Sequence, residues 1–233
     1  GEAMALAGFY LVLSYGVNAL SPIIAGKFQV TTTVIKLIPL LLMAVIGTAV
    51  GLKSGMLIEN FTTVVEEVST SSALFTAVVA TAFAYEGWIV ATSINSELKD
   101  SKRNLPKALV LGSIVVVSVY ILYYIGLAGG ISNEVMMSGG ETAAKMAFER
   151  IFSSAGGTIL FVFVVISCLG TLNGLMLGCT RGMYCLAARN KGPAPKIFKQ
   201  VDNTTNMPTN SSIFGLILSA FWLIYFYGAN LTE

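Results

Sequence analysis

The chain has 233 residues, of which 55% are hydrophobic and 11% charged, with no histidine and a formal net charge of +2; its mean hydropathy is +0.77. A water-soluble domain carries roughly a quarter charged residues, so this composition excludes an ordinary soluble globule. Histidine acid–base chemistry is excluded as well, and the small positive charge is no sign of nucleic acid, because the basic residues sit beside apolar runs where membrane topology accounts for them.

Six apolar runs of the length needed to cross a hydrocarbon core of about 30 Å follow in chain order, at about 4–26, 30–52, 71–95, 107–129, 156–189 and 211–229. They predict an all-α membrane protein with six transmembrane helices in a single membrane domain, 1–233. The N-terminus shows neither the basic segment nor the small-residue cleavage site of a signal peptide. Pro22 in the first span and Pro39 in the second are tolerated in membrane helices and are expected to bend them. With a cytoplasmic loop at 27–30, alternation gives the cytoplasmic side Lys27, Lys99, Lys102, Arg103, Lys107, Arg181, Arg189, Lys191, Lys196 and Lys199. The outer side keeps Lys53, Lys145 and Arg150 together with Glu59, Glu66, Glu67, Glu134, Glu141 and Glu149. That asymmetry is the positive-inside pattern.

Between the fourth and fifth spans, Ala144, Ala147, Phe148, Ile151 and Phe152 recur at helical spacing, so a short outer helix has one apolar face. It either lies over the outer mouth or serves as an interfacial connector. Cys168, Cys179 and Cys185 share one predicted helix whose geometry keeps them too far apart to bond, and they are read as free thiols without metal spacing. No cysteine is paired with a base, the acidic pair Glu66 and Glu67 has no catalytic partner, and no phosphate-cradling glycine loop occurs. No enzyme and no cofactor is expected, and any transport is secondary or passive.

The segment TAFAYEGWIVATSINSELKDSKRNLPKAL, Thr81 to Leu109, is the most informative. Glu86 and Gly87 stand side by side in the depth of the third span. A carboxylate there costs about 2.5 to 3.5 kcal/mol on insertion scales and points to function. The glycine lets the helix unwind and free its carbonyls. An outer half-helix ending near Ala82 then aims its last carbonyls and the negative end of its dipole at the gap, which suits a substrate ammonium. The structural alternative is a continuous helix in which Glu86 is protonated or pairs with Lys36. Lys36, in TTTVIKLIPLLLM, is the second charge inside a span. Its long side chain can snorkel to the cytoplasmic interface; desolvated between helices, it can trade a proton or stand as a fixed positive charge.

The run FAYEGW, followed by Glu97, Asp100, Arg103, Asn104 and Pro106 in the order E-x-x-D-x-x-R-N-x-P, resembles the sixth helix and following loop of the amino acid, polyamine and organocation transporters. The L-type amino acid transporter branch is the nearest, and within it the bacterial exchangers of small neutral amino acids. SCLGTLNG, Ser167 to Gly174, is similar to that branch's eighth helix. Gly192, Pro195, Phe198, Val201 and Pro208 resemble the loop between helices eight and nine. The six spans then correspond to helices four to nine of twelve.

The resemblance implies a partial inverted-repeat transporter fold (LeuT-like) with one discontinuous helix, working by alternating access at the plasma membrane. It assigns Phe83 as the aromatic gate and the carbonyls of Phe83, Ala84 and Glu86 as acceptors for the substrate α-ammonium, with Gly87 at the break. It makes Lys36 the lysine that stands in for a sodium ion, with Thr171 as its eighth-helix neighbour. Two features depart from the family pattern: an acidic residue at Glu86, found in a branch that handles cationic amino acids, and one extra residue between Arg181 and Arg189. The leading expectation is a sodium-independent exchanger or uniporter of small neutral amino acids. Its rivals are a proton-coupled or cationic amino acid/polyamine carrier and, from another class, a non-transporting membrane scaffold. The expected partners are an amino acid and the lipid bilayer; a partner subunit is left open.

Overall fold

In a computed structural model the described residues are 1–63, 70–93, 95 and 98–230, and their regular structure is helical. Glu66, Glu67, Glu97 and Glu233 lie outside them. Five of the described helices are long and apolar enough to cross a membrane, and a shorter apolar stretch, Ala73–Ala82, belongs to the interrupted third span. Large apolar side chains such as Phe9, Leu111, Phe161 and Ile217 lie on the surface. Such a surface suits a hydrocarbon solvent, in which backbone polar groups must be satisfied internally and helices do so.

The first helix, α1, covers Glu2–Leu20, and α2 covers Pro22–Leu42. The expected loop at 27–30 is therefore helical, and the connection lies earlier, at Ser21. Local chemistry explains the shift. Ser21 is extended, its Oγ accepts the Ile24 amide and its carbonyl accepts the Ala25 amide, so it caps α2. Pro22 occupies the first helical position, where a missing N–H costs nothing. Pro39 stays within α2; its ring removes the N–H that the Ile35 carbonyl would otherwise receive. A π-helical turn, Met43–Gly47, then leads into α3, Thr48–Ser54. Gly55 in the left-handed region turns the chain into α4, Met56–Thr62.

The expected third span is two helices, α5 (Thr70–Ala84) and α6 (Trp88–Ser93). Next, α7 covers Ser101–Gly130, starting six residues before the expected 107. The loop motif is its start: Asp100 takes a positive φ of 49°, its carbonyl receives the Arg103 and Asn104 amides, and Asn104 Nδ2 donates to the Lys99 carbonyl at 2.6 Å. A short α8, Asn133–Gly139, precedes α9, Ala143–Ala188. Two non-helical residues, Phe152 and Ser153, break α9 and separate its outer part from the spanning part. Asn190 in the left-handed region closes α9: the Lys191 amide bonds the Leu186 carbonyl and the Asn190 amide that of Ala187. The short α10, Pro195–Phe198, and α11, Thr209–Asn230, complete the chain.

Cα proximity divides the chain into two units, Gly1–Thr33 with Ile89–Leu105 and Cys168–Glu233, and Val34–Trp88 with Pro106–Ser167. In the second unit the backbones of α7 and the π-turn–α3 segment meet at glycines. A methyl added at Gly47 or Gly51 would strike Gly126 or Gly129, and one at Gly126 would strike Met43 and Ala44. Without a hydrophobic drive between helices in lipid, such close approach is a main source of association. Asn60 then locks the outer end of this unit, donating to the Ala128 and Ile131 carbonyls at 2.6 and 2.8 Å while its Oδ1 receives the Asn133 amide at 3.0 Å. The outer part of α9 buries the face expected of it, with Ala147 and Phe148 in a core with Met43 and Ile131.

Candidate functional site

The interruption separates α5, which ends at Ala84, from α6, which begins at Trp88. The Tyr85 amide bonds the Thr81 carbonyl at 3.1 Å, and Tyr85, Glu86 and Gly87 form a turn before α6 begins. The continuous helix is not the conformation adopted. Phe83 and Ala84 belong to the last turn of α5, and the carbonyls of that turn are the ones a helix end leaves without intrahelical donors. The negative end of the α5 dipole lies here. Gly87 has a negative φ, and a methyl added to it would meet nothing within 4 Å. Its contribution is weak helix propensity, about 1 kcal/mol, rather than room for a close neighbour.

A residue that sequence reasoning missed reaches this gap from α7. The Tyr120 hydroxyl donates to the Ala84 carbonyl at 3.3 Å, and its ring packs on Tyr85 with centroids 5.2 Å apart. Nothing in the sequence marks Tyr120 off from the other tyrosines of its helix; only the position of α7 does.

Lys36 is half-buried within α2, one residue from the Ile35 carbonyl that Pro39 deprives of its helical donor. Glu86 is exposed on the chain. Among the described residues the ion pair found is Lys145 with Glu149, at 3.6 Å, and no pair joins Glu86 to Lys36. Thr171 belongs to the first unit, whereas Lys36, Phe83, Ala84, Glu86 and Gly87 belong to the second. Thr171 is exposed on α9.

The motif that contains Thr171 has its buried residues on the adjoining positions. Asn173, 1% exposed, receives the Asn18 Nδ2 donor at 2.9 Å and donates to Gln29 Oε1 at 3.0 Å. Gly170 abuts Thr32, and Gly174 abuts Gln29, so the glycines of SCLGTLNG seat the start of α2 against α9. Asn18 Oδ1 and Ser14 Oγ, one turn apart on α1, have no hydrogen-bond partner among the described residues. Further along α9, Arg181 is buried within the first unit, its guanidinium donating to the Leu177 carbonyl and the Thr180 hydroxyl. An open groove of about 450 Å³, lined by Tyr10, Leu11, Leu169, Leu172, Trp222 and Phe226, is too apolar to hold an ammonium and a carboxylate.

Among the described residues no group of histidine, cysteine or acidic side chains could hold a metal. What the interruption offers chemically is a set of backbone acceptors at the negative end of a helix dipole.

The family model described as amino acid permease matches residues 3–232. The chain is 29% identical over 217 residues to the serine/threonine exchanger SteT of Bacillus subtilis (strain 168), covering 93% of this chain and 48% of that protein. It is 27% identical over 209 residues to b(0,+)-type amino acid transporter 1 of Mus musculus, covering 89% of this chain and 42% of that protein. Against the aspartate-proton symporter of Bacillus subtilis (strain 168) it is 29% identical over 155 residues, covering 64% of this chain and 29% of that protein. The chain thus spans about half, or less, of the length of these curated relatives. They are transporters, not enzymes.

Proposed function

The chain belongs to the amino acid permease family, and from that premise we propose that it serves in a secondary amino acid transporter of the plasma membrane, carrying small neutral amino acids by sodium-independent exchange or uniport. The observation that carries this reading is the interruption at Tyr85–Gly87 within an otherwise apolar span. Freed carbonyls at the end of a half-helix accept an α-ammonium, and the transporter fold with inverted repeats uses such discontinuous helices near the bilayer midplane. In this reading the carbonyls of Phe83, Ala84 and Glu86 take the ammonium, the Phe83 ring closes over the substrate, and Gly87 eases the break. Lys36 supplies a fixed positive charge where a sodium ion would otherwise sit. The mechanism is binding and alternating access, with no bond made or broken.

Uptake of labelled L-alanine into liposomes by the whole protein that carries this chain tests the reading. Phe83→Ala is expected to abolish uptake while the protein still inserts and folds; unchanged uptake would refute the gate, and absence of uptake by the parent protein would favour a scaffold. Competition by L-leucine and L-arginine decides what Glu86 selects, because an acidic residue facing the side chain makes arginine the strongest competitor. A proton-coupled carrier is the second reading, favoured by the half-buried Lys36 and by the symporter among the relatives. Under it, Lys36→Ala removes the dependence of uptake on the pH gradient; under exchange, no such dependence exists to remove.

A further inference from the structure

We propose that Tyr120 is a stand-in for the substrate ammonium: its hydroxyl occupies the Ala84 carbonyl while the site is empty and gives it up when an amino acid binds. The inference rests on the reading of the gap as the ammonium site and goes beyond it by assigning what holds the gap in the absence of substrate.

Three observations carry it. First, Ala84 ends α5, so its carbonyl is one of those that the helix cannot satisfy. In a membrane span such a group has no bulk water to turn to, and leaving it unpaired is costly. Second, the donor it finds is the Tyr120 hydroxyl, from a helix 36 residues further along the chain, at 3.3 Å. Hydroxyl donors usually approach to about 2.7–2.8 Å, so this bond is long and weak enough to yield. An ammonium makes a charge-assisted bond, shorter and roughly twice as strong, and therefore displaces it. Third, the same side chain packs its ring against Tyr85, at a centroid separation of 5.2 Å. Tyr85 is the first residue of the turn, so a single tyrosine braces both the last carbonyl of the helix and the start of the break. When the hydroxyl lets go, the ring contact remains to keep the turn in register.

This arrangement has a thermodynamic signature. A contact made only in the empty protein stabilises that state and opposes binding by the same amount. Tyr120→Phe keeps the ring and deletes the donor. In the whole protein, purified in detergent, the dissociation constant for the tightest binder among L-alanine, L-leucine and L-arginine is expected to fall by about two- to tenfold. The thermal midpoint of the substrate-free protein falls, while that of the substrate-saturated protein stays where it was. Tyr120→His, which retains a ring and a donor, returns the affinity toward the starting value. An unchanged or raised dissociation constant overturns the proposal. So does an equal loss of thermal stability with and without substrate, which a purely structural tyrosine would produce.

Two controls separate failure here from failure of the ammonium site itself: binding of propionate, which is alanine without its ammonium, and the Phe83→Ala variant. If both lose binding and Tyr120→Phe changes nothing, the ammonium site stands and the stand-in falls. If propionate competes as well as alanine, the ammonium does not use these carbonyls and both fall.

Discussion

Truncating Asn173 tests whether the buried amides of the first unit act as one network. Asn18 and Asn173 are 0% and 1% exposed. Asn173→Ala removes the 2.9 Å bond from Asn18 Nδ2, the 3.0 Å bond to Gln29 Oε1 and a longer one, 3.4 Å, to the Ala25 carbonyl. Asn18 Nδ2 keeps the Ser14 carbonyl at 2.9 Å, so the donor is not orphaned, but Gln29 Oε1 loses its amide partner. Interhelical polar contacts in membranes average about 0.6 kcal/mol each, with about 1.7 at the upper end, and a buried group left unpaired costs about 1–3 kcal/mol. The three lost bonds, one of them long, and one weakened acceptor therefore give a loss of about 2 kcal/mol. Asn18→Ala is expected to cost about 1 kcal/mol, because Asn173 retains Gln29. Replacing both asparagines with alanine removes the shared donor and acceptor together and is expected to cost less than the sum of the two single losses. Equilibrium unfolding of the four proteins in detergent closes the double-mutant cycle, with a predicted coupling of at least about 1 kcal/mol. Strictly additive losses, or two single variants as stable as the parent, would refute the network.

Three further outcomes can be measured alongside it. Gly126→Val drives a side chain into the Met43 and Ala44 backbone and is expected to cost more than about 2 kcal/mol or prevent folding. Gly112→Ala, on the same α7 with nothing within 4 Å, is expected to gain about 0.5–1 kcal/mol; equal behaviour of the two by thermal unfolding would refute the close crossing. Ser153 sits at φ 65° and ψ −178°, a region reserved for glycine at a cost of about 1–3 kcal/mol, so Ser153→Gly should raise the unfolding midpoint. The Asp202 carboxylate accepts the Thr205 and Thr204 amides and the Thr205 hydroxyl, which hold it below the ordinary carboxylate range. A depressed folded-state value means that this turn is stabilised above the ordinary range and loses that contribution as pH falls through the depressed value. The Thr204 and Thr205 amide resonances should therefore shift at lower pH than a free carboxylate titrates; titration at the ordinary value would refute the turn.

Hydropathy alone made the membrane setting and the apolar runs legible, because the lipid imposes length and apolarity on every crossing segment separately. The helix interruption was legible too: a carboxylate beside a glycine is a local conflict with an apolar helix, and the turn at Tyr85–Gly87 falls on it. So was the apolar face of the outer helix, since helical spacing is a property of the segment itself. The end of the first span was misplaced at about residue 26 because hydropathy is blind to capping, while Ser21 and Pro22 stop and restart the helix. Only the tertiary structure decided which glycines touch, that Asn18 meets Asn173 across 155 residues, and that Tyr120 rather than another tyrosine of α7 reaches the Ala84 carbonyl. Each of those is a contact between segments far apart in the chain, and its energy depends on the approach of two helices, a quantity that no window of neighbouring residues contains.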